Sequence, residues 1–289
     1  MTKQNWVPAR VVEFETPKRV LLRGLWFGSK RSRRVVVFVH GLGGSAFSMR
    51  QVIERLDRSG IAVLSFNNRG HDVISSIRST RRHARRRLGG AAHEIFTECV
   101  DDIEGALRFA RRQGARELYL MGHSTGCQKS VYWAGKRGRG VRGIVLLAPV
   151  SDYAAELHRR GAKKIGRVTK VARALLARGK KHSLLPEGLW HETLDAQRFL
   201  SLYTPGSIET IFPYEQERNV PRLLKRIHVP LFVLWAEEDE YAHRPAKEIA
   251  AWFEKRLQKG KVVIIPRVKH SFRGGEKTME REIRRFMER

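Results

Sequence analysis

Gly122, Ser124 and Gly126 stand in the spacing G-x-S-x-G within LYLMGHSTGCQKS, residues 118–130. A serine so placed can act as a nucleophile if it sits on a tight turn between a strand and a helix. The glycines are then required because the turn leaves no room for side chains. The hydroxyl is exposed above the end of the sheet, at a helix N-terminus whose dipole favours developing negative charge. Such a hydroxyl needs a base, and the base needs an acid to orient it. Five residues can match this pattern by chance, so the rest of the chain must supply the strand, the helix, the base and the acid.

The base and acid should come late, in the order Ser, Asp, His. LWAEEDEYA, residues 234–242, places acids just past an apolar strand, and PRVKHSFRGG, residues 266–275, places His270 just past the last one. His270 is the expected base and Asp239, one turn past its strand, the expected acid; Glu237, Glu238 and Glu240 are its rivals. His40 and His123 belong to other motifs. Acyl transfer also needs donors for an oxyanion. HGLGGS, residues 40–45, follows the strand VVVFV, and its glycines let the backbone come close. The N–H of Leu42 and that of Thr125, next after the serine, are the expected pair. The loop lacks the G-K-[ST] of a phosphate-binding P-loop and the G-x-G-x-x-G of a dinucleotide site. With neither H-E-x-x-H nor paired cysteine clusters present, neither cofactor nor metal is expected.

The elements that must hold these residues are legible as periodicity. ARVVEFE (9–15) and KRVLLRGLWFG (18–28) read as an antiparallel hairpin. Short β-branched runs at 35–40, 61–66, 117–122, 143–149, 230–236 and 261–266 suit strands buried on both faces. Helical spacing appears at 48–60, ending at a Gly60 C-cap, at 93–112 through Phe96, Val100, Ile103 and Leu107, and at the C-terminus through Met279, Ile283 and Phe286. Alternating strands and helices imply an α/β fold with a mainly parallel sheet covered on both faces. Residues 150–229 interrupt the alternation. The expected division is a core of 1–149 and 230–289, with 150–229 as a helical cap over the carboxyl edge of the sheet.

Taken together, HGLGG, GHSTG, Asp239 and His270 resemble the α/β-hydrolase superfamily over nearly the whole chain. NNRGHD (67–72), GHSTGCQ (122–128), APVSDY (148–153) and RFLSLYTPGSIETIF (198–212) resemble the branch that includes siderophore (fusarinine-type) esterases and their prokaryotic relatives. The resemblance implies an α/β-hydrolase fold, a Ser124–Asp239–His270 triad, and Asn68, Arg69, Ser151 and Asp152 near the pocket. It implies ester hydrolysis, lactones included, with thioester cleavage or perhydrolysis as the alternative. Serine at position 124 argues against the dehalogenase and epoxide hydrolase chemistry of this fold, which uses a carboxylate.

The 289 residues contain 57 Lys and Arg against 29 acids, a formal charge of +28, with 42% hydrophobic residues. That apolar fraction supports a sizeable core. The charge suits anionic substrates, nucleic acid or an anionic membrane surface, but the basic residues are spread along the whole chain, which favours a solvated basic surface. RSTRRHARRRLGG (78–90) reads as a solvated loop, with docking of anions or RNA as the alternative. Residues 159–181 read as a basic amphipathic helix with Ile165, Val168, Ala172 and Leu175 on one face, either a cap helix or a membrane-surface helix. A non-catalytic binding protein of this fold is the rival from another class. Two cysteines suggest no disulfide framework, and Cys127 reads as a packed core thiol. With neither a signal sequence nor a run of roughly 18 apolar residues, a cytoplasmic setting is expected.

Overall fold

A computed structural model describes residues 7–215, 221 and 223–288. β1 (Arg10–Glu15) and β2 (Val20–Phe27) form the expected hairpin, with Arg10 opposite Trp26 and Glu15 opposite Leu21. β3 (Arg34–Val39), α1 (Arg50–Arg58) and β4 (Ala62–Asn67) follow. Gly60, just past α1, takes the left-handed conformation expected of it, φ 79°. A second hairpin, β5 (Ser75–Ser79) and β6 (Arg87–Gly89), stands where the sequence suggested only a loop. α2 (Cys99–Arg112) starts later than its periodicity implied, because Phe96–Glu98 form a 3-10 turn.

The second half repeats the alternation: β7 (Glu117–His123), α3 (Thr125–Arg137), β8 (Gly143–Leu147), α4 (Asp152–Ala177), α5 (Ala196–Tyr203), β9 (Leu231–Ala236), α6 (Ala246–Glu254), β10 (Gly260–Ile265) and α7 (Glu276–Met287). The sheet order is β10-β9-β8-β7-β3-β4-β2, parallel from β10 to β4. β1 lies along one edge of β2. On the other edge, β5 pairs with the start of β2 beyond the end of β4.

Both faces are covered, which is why the strands are apolar without alternation. Val35, Val37 and Val39 join a core with α2, α3 and α6, whereas Val36 and Phe38 join one with α1 and α7. β3 pairs with β4 on one side and β7 on the other, so the chain reverses its winding there. The crevice at the carboxyl ends of such strands is where open α/β sheets bind ligands. Cys127 is fully buried, its Sγ 3.2 Å from the Gly122 and Leu147 carbonyls.

Between β8 and β9, α4 and α5 build a third core from Ile165, Val168, Ala172, Phe199, Leu202 and Trp190. The apolar stripe of α4 is therefore spent inside the protein and does not face a membrane. The helix also differs from its sequence pattern. It begins at Asp152, and Gly161 (φ 78°, ψ 157°) breaks it into two helical pieces.

Candidate active site

Ser124 sits between β7 and α3 with φ 55° and ψ −128°, a backbone that non-glycine residues rarely adopt. The flanking glycines are steric requirements. A Cβ on Gly122 would lie 2.3 Å from the Gly126 carbonyl oxygen, and one on Gly126 would lie 2.1 Å from that of Val39. The 40–45 loop comes equally close. A Cβ on Gly41 would lie 2.9 Å from the Ser124 Cβ and 3.5 Å from its Oγ. Leu42 follows on that loop, and Thr125 begins α3. Neither backbone N–H has an acceptor among the described residues.

His270 follows β10, and its Nδ1 lies 2.8 Å from Asp239 Oδ2. The Asp239 side chain is fully buried, and its Oδ1 accepts the Tyr241 N–H at 3.0 Å. Of the four acids in this loop, Asp239 is the one whose carboxylate meets the imidazole. Glu237 accepts the Arg267 N–H and Glu240 the His270 N–H, so both brace the histidine loop through its backbone. Tyr241 packs edge-on to the His270 ring, centroids 4.7 Å apart.

Ser124, His270 and Leu42 line one cavity of about 570 Å³, within the usual range for small-molecule sites. α4, α5 and the segment between them supply Asp152, Glu156, Arg159, His191, Glu192 and Tyr203 to its wall. Of these, only Asp152 belongs to the residues that the family resemblance placed near the pocket. Its carboxylate accepts from Gln128 Nε2 at 2.7 Å, and burial together with Glu209 pushes its pKa up to about 8.

Asn68, Arg69 and Ser151 are placed otherwise. Asn68 and Arg69 line a separate cleft of about 170 Å³. Arg69 is buried among Asp101, Asp102 and Glu98, with Nε 2.9 Å from Asp102 Oδ1. The Ser151 hydroxyl caps α4 and donates to Glu215 at 3.2 Å. These three hold the fold around the site and do not line the Ser124 cavity.

Two histidines outside that set support the loops. His40 Nδ1 bonds the Gly41 carbonyl at 2.8 Å, and its Nε2 accepts the Asn68 N–H at 3.3 Å. That pairing fixes a neutral ring with the proton on Nδ1 and ties the Leu42 loop to the end of β4. Burial, aided by the charge of Lys129, lowers the His40 pKa to about 3. His123 lines the cavity and donates from Nε2 to the His270 carbonyl at 3.0 Å. Burial and His270 lower it to about 3 as well. Both lie inside motifs visible in the sequence, but nothing there shows what they touch.

Behind the site runs a buried ionic chain. Lys129 of α3 lies 2.6 Å from Glu94, Glu94 lies 2.8 Å from Arg198 of α5, and Arg198 also bonds Glu209. It joins α3, the helix that follows Ser124, to α5.

The family model described as "Serine aminopeptidase, S33" matches residues 30–277. The chain belongs to this family. The S33 hydrolase described here also shares its fold with solved structures of low sequence identity. The siderophore hydrolase EstB from Aspergillus fumigatus is 15% identical, with a TM-score of 0.70 over 99% of this chain and 98% of that one. An esterase from Pyrococcus furiosus is 17% identical, with a TM-score of 0.62 over 99% and 94%. Est1E from Butyrivibrio proteoclasticus, solved with ferulic acid bound, is 16% identical, with a TM-score of 0.63 over 96% and 98%. The α/β-hydrolase fold expected from the sequence is thus the fold observed. No curated protein matches the sequence. No described helix is long and apolar enough to cross a membrane.

Proposed function

We propose that this S33 hydrolase cleaves carboxylic esters, cyclic ones included, through Ser124, His270 and Asp239. The observation that carries the reading is the 2.8 Å contact of His270 Nδ1 with the buried Asp239, on the cavity that also holds the strained Ser124 turn. Asp239 keeps the Nδ1 proton in place, leaving Nε2 free to act as base. Ser124 Oγ attacks the ester carbonyl while His270 takes its proton. The oxyanion is held by the Leu42 and Thr125 N–H groups, the second at a helix N-terminus. His270 then protonates the departing alcohol. Water, deprotonated by the same imidazole, releases the acid and restores Ser124.

A second reading, cleavage of peptide N-terminal residues, draws on the family description and on the carboxylates of Asp152, Glu156 and Glu192, which could meet a substrate ammonium. It is the weaker one because all three acids are already engaged. Asp152 accepts from Gln128 Nε2 and has its pKa raised to about 8. Glu156 pairs with Arg159 and Arg160, and Glu192 accepts the Tyr203 hydroxyl. The test is turnover of p-nitrophenyl esters of increasing acyl length beside aminoacyl p-nitroanilides, by wild type and Ser124→Ala. Ester turnover that falls about a millionfold in the variant, with little anilide turnover, supports the first reading. Equal ester turnover by both proteins would overturn it.

A further inference from the structure

The basic segment at 78–90 is part of a projecting hairpin, and the hairpin has a patterned outer face. Ser76 of β5 is opposite Leu88 of β6, and Ile77 is opposite Arg87. Side chains alternate along a strand and paired residues share a face. Ile74, Ser76 and Arg78 therefore point the same way as Leu88 and Arg86, while Ile77 turns inward to the core. Ile74 is 47% exposed and Leu88 57%, so two aliphatic side chains stand in water beside two arginines.

The tip adds Arg81, Arg82 and Arg85, all exposed. Arg87 pairs with Glu98, but among the described residues none of Arg78, Arg81, Arg82, Arg85 and Arg86 pairs with an acid. Val73, at the base, is 56% exposed. The Asp72 N–H donates to the Gly44 carbonyl at 3.0 Å, which joins the base to the loop carrying Phe47, itself 67% exposed. Clustered unpaired cations with exposed aliphatic side chains among them, and an exposed aromatic on the adjoining loop, match an anionic bilayer, which offers phosphate outside and hydrocarbon beneath. An RNA backbone would use the arginines but has no place for Ile74 and Leu88, and the hairpin's one ring for base stacking is that of His83.

We propose that the β5–β6 hairpin docks this protein onto anionic phospholipid membranes, its arginines at the headgroups and Ile74 and Leu88 in the interface. The loop attached to its base also supplies Leu42, Gly44, Ser48 and Met49 to the cavity lining, so docking holds the cavity close to the bilayer surface. The proposal is independent of the ester reading and is tested without turnover.

The full chain is co-sedimented with phosphatidylcholine vesicles and with vesicles containing phosphatidylglycerol, at low and high salt. Binding is expected with phosphatidylglycerol alone and should weaken with salt. Each arginine near an anionic surface contributes about fivefold in partitioning, so Arg81, Arg82, Arg85 and Arg86 changed together to Gln should lose more than about a hundredfold. Ile74→Ser with Leu88→Ser should lose about tenfold at unchanged charge. A control alters four exposed cations of α4, Lys163, Arg167, Lys170 and Arg173, to Gln, giving the same net charge as the hairpin variant. Circular dichroism confirms that each variant is folded. Equal losses from the hairpin and α4 variants would overturn the proposal in favour of overall charge. Undiminished binding by the serine variant, or no vesicle binding by wild type, would also overturn it. Binding of a labelled RNA that needs the hairpin arginines, with no vesicle binding, would reassign the surface to nucleic acid.

Discussion

His40→Gln examines a neutral imidazole built into the loop beside Ser124. His40 is fully buried between the Gly41 carbonyl and the Asn68 N–H, and burial lowers its pKa from 6.5 to about 3. As pH falls through 6.5 the unfolded chain takes up a proton here, whereas the folded chain takes none until near pH 3. The unfolded state binds more protons in this window, so stability falls as pH falls. At pH 5 about thirty unfolded imidazoles are protonated for each neutral one, a loss of about 2 kcal/mol relative to pH 8. The figure barely changes if the folded pKa lies anywhere below 4. Glutamine offers a donor and an acceptor but does not titrate. Urea unfolding of both proteins at pH 8 and pH 5 measures the effect, because the fixed cost of the substitution cancels between the two pH values. The difference in stability should move by about 2 kcal/mol in favour of the variant at pH 5. A difference unchanged with pH would refute the buried neutral His40.

Asp239→Asn should lower kcat on p-nitrophenyl esters by about 10⁴ through misorientation of the imidazole. Glu240→Gln, which touches only the His270 backbone N–H, should cost less than about tenfold; equal losses in steady-state kinetics would mean the acid is wrongly assigned. Asp152, with its pKa raised to about 8, holds a proton that the unfolded chain releases above 3.8. Stability attributable to this group is thus lost as pH rises from about 4 to 8, and thermal melts of Asp152→Asn should decline less steeply across that range. Arg198→Met leaves buried Glu209 without its cation and Glu94 with Lys129 alone, and should destabilise by about 3–5 kcal/mol in chemical denaturation. A loss within the range of ordinary surface substitutions would mean that Lys129 alone compensates Glu94.

The Ser124 turn was legible because its sterics leave no choice of residue. Gly122 and Gly126 admit no Cβ, so the pattern survives as letters. The parallel strands were legible because burial on both faces demands unbroken apolar runs such as Val35–Val39. Asn68 and Arg69 show the opposite case. A polar residue reads the same whether it faces a substrate or a buried partner, and the acids that hold Arg69 lie in α2, on a turn that looks solvent-facing in sequence. The break at Gly161 was hidden because a glycine inside a helical pattern does not announce a positive φ. The β5–β6 hairpin was missed because arginine displaces the apolar alternation that marks a strand. Short α6, following Pro245, carries a weaker sequence signal than the neighbouring strand β9.

The ionic chain from Lys129 through Glu94 to Arg198 and Glu209 bears on how this architecture can diversify. Exchanging residues 150–229 for another segment would replace Asp152, Glu156, Arg159, His191, Glu192 and Tyr203 in the cavity wall. Here the graft boundary does not coincide with residues 150–229. Replacing that stretch removes Arg198 and Glu209 but leaves Lys129 and Glu94 facing each other in the host, with acceptor positions on Glu94 unfilled. A chimera would tolerate a foreign segment only if it brought a cation to that point, or if residues 94 and 129 were exchanged with it. The exchangeable unit is therefore residues 150–229 together with Glu94 and Lys129.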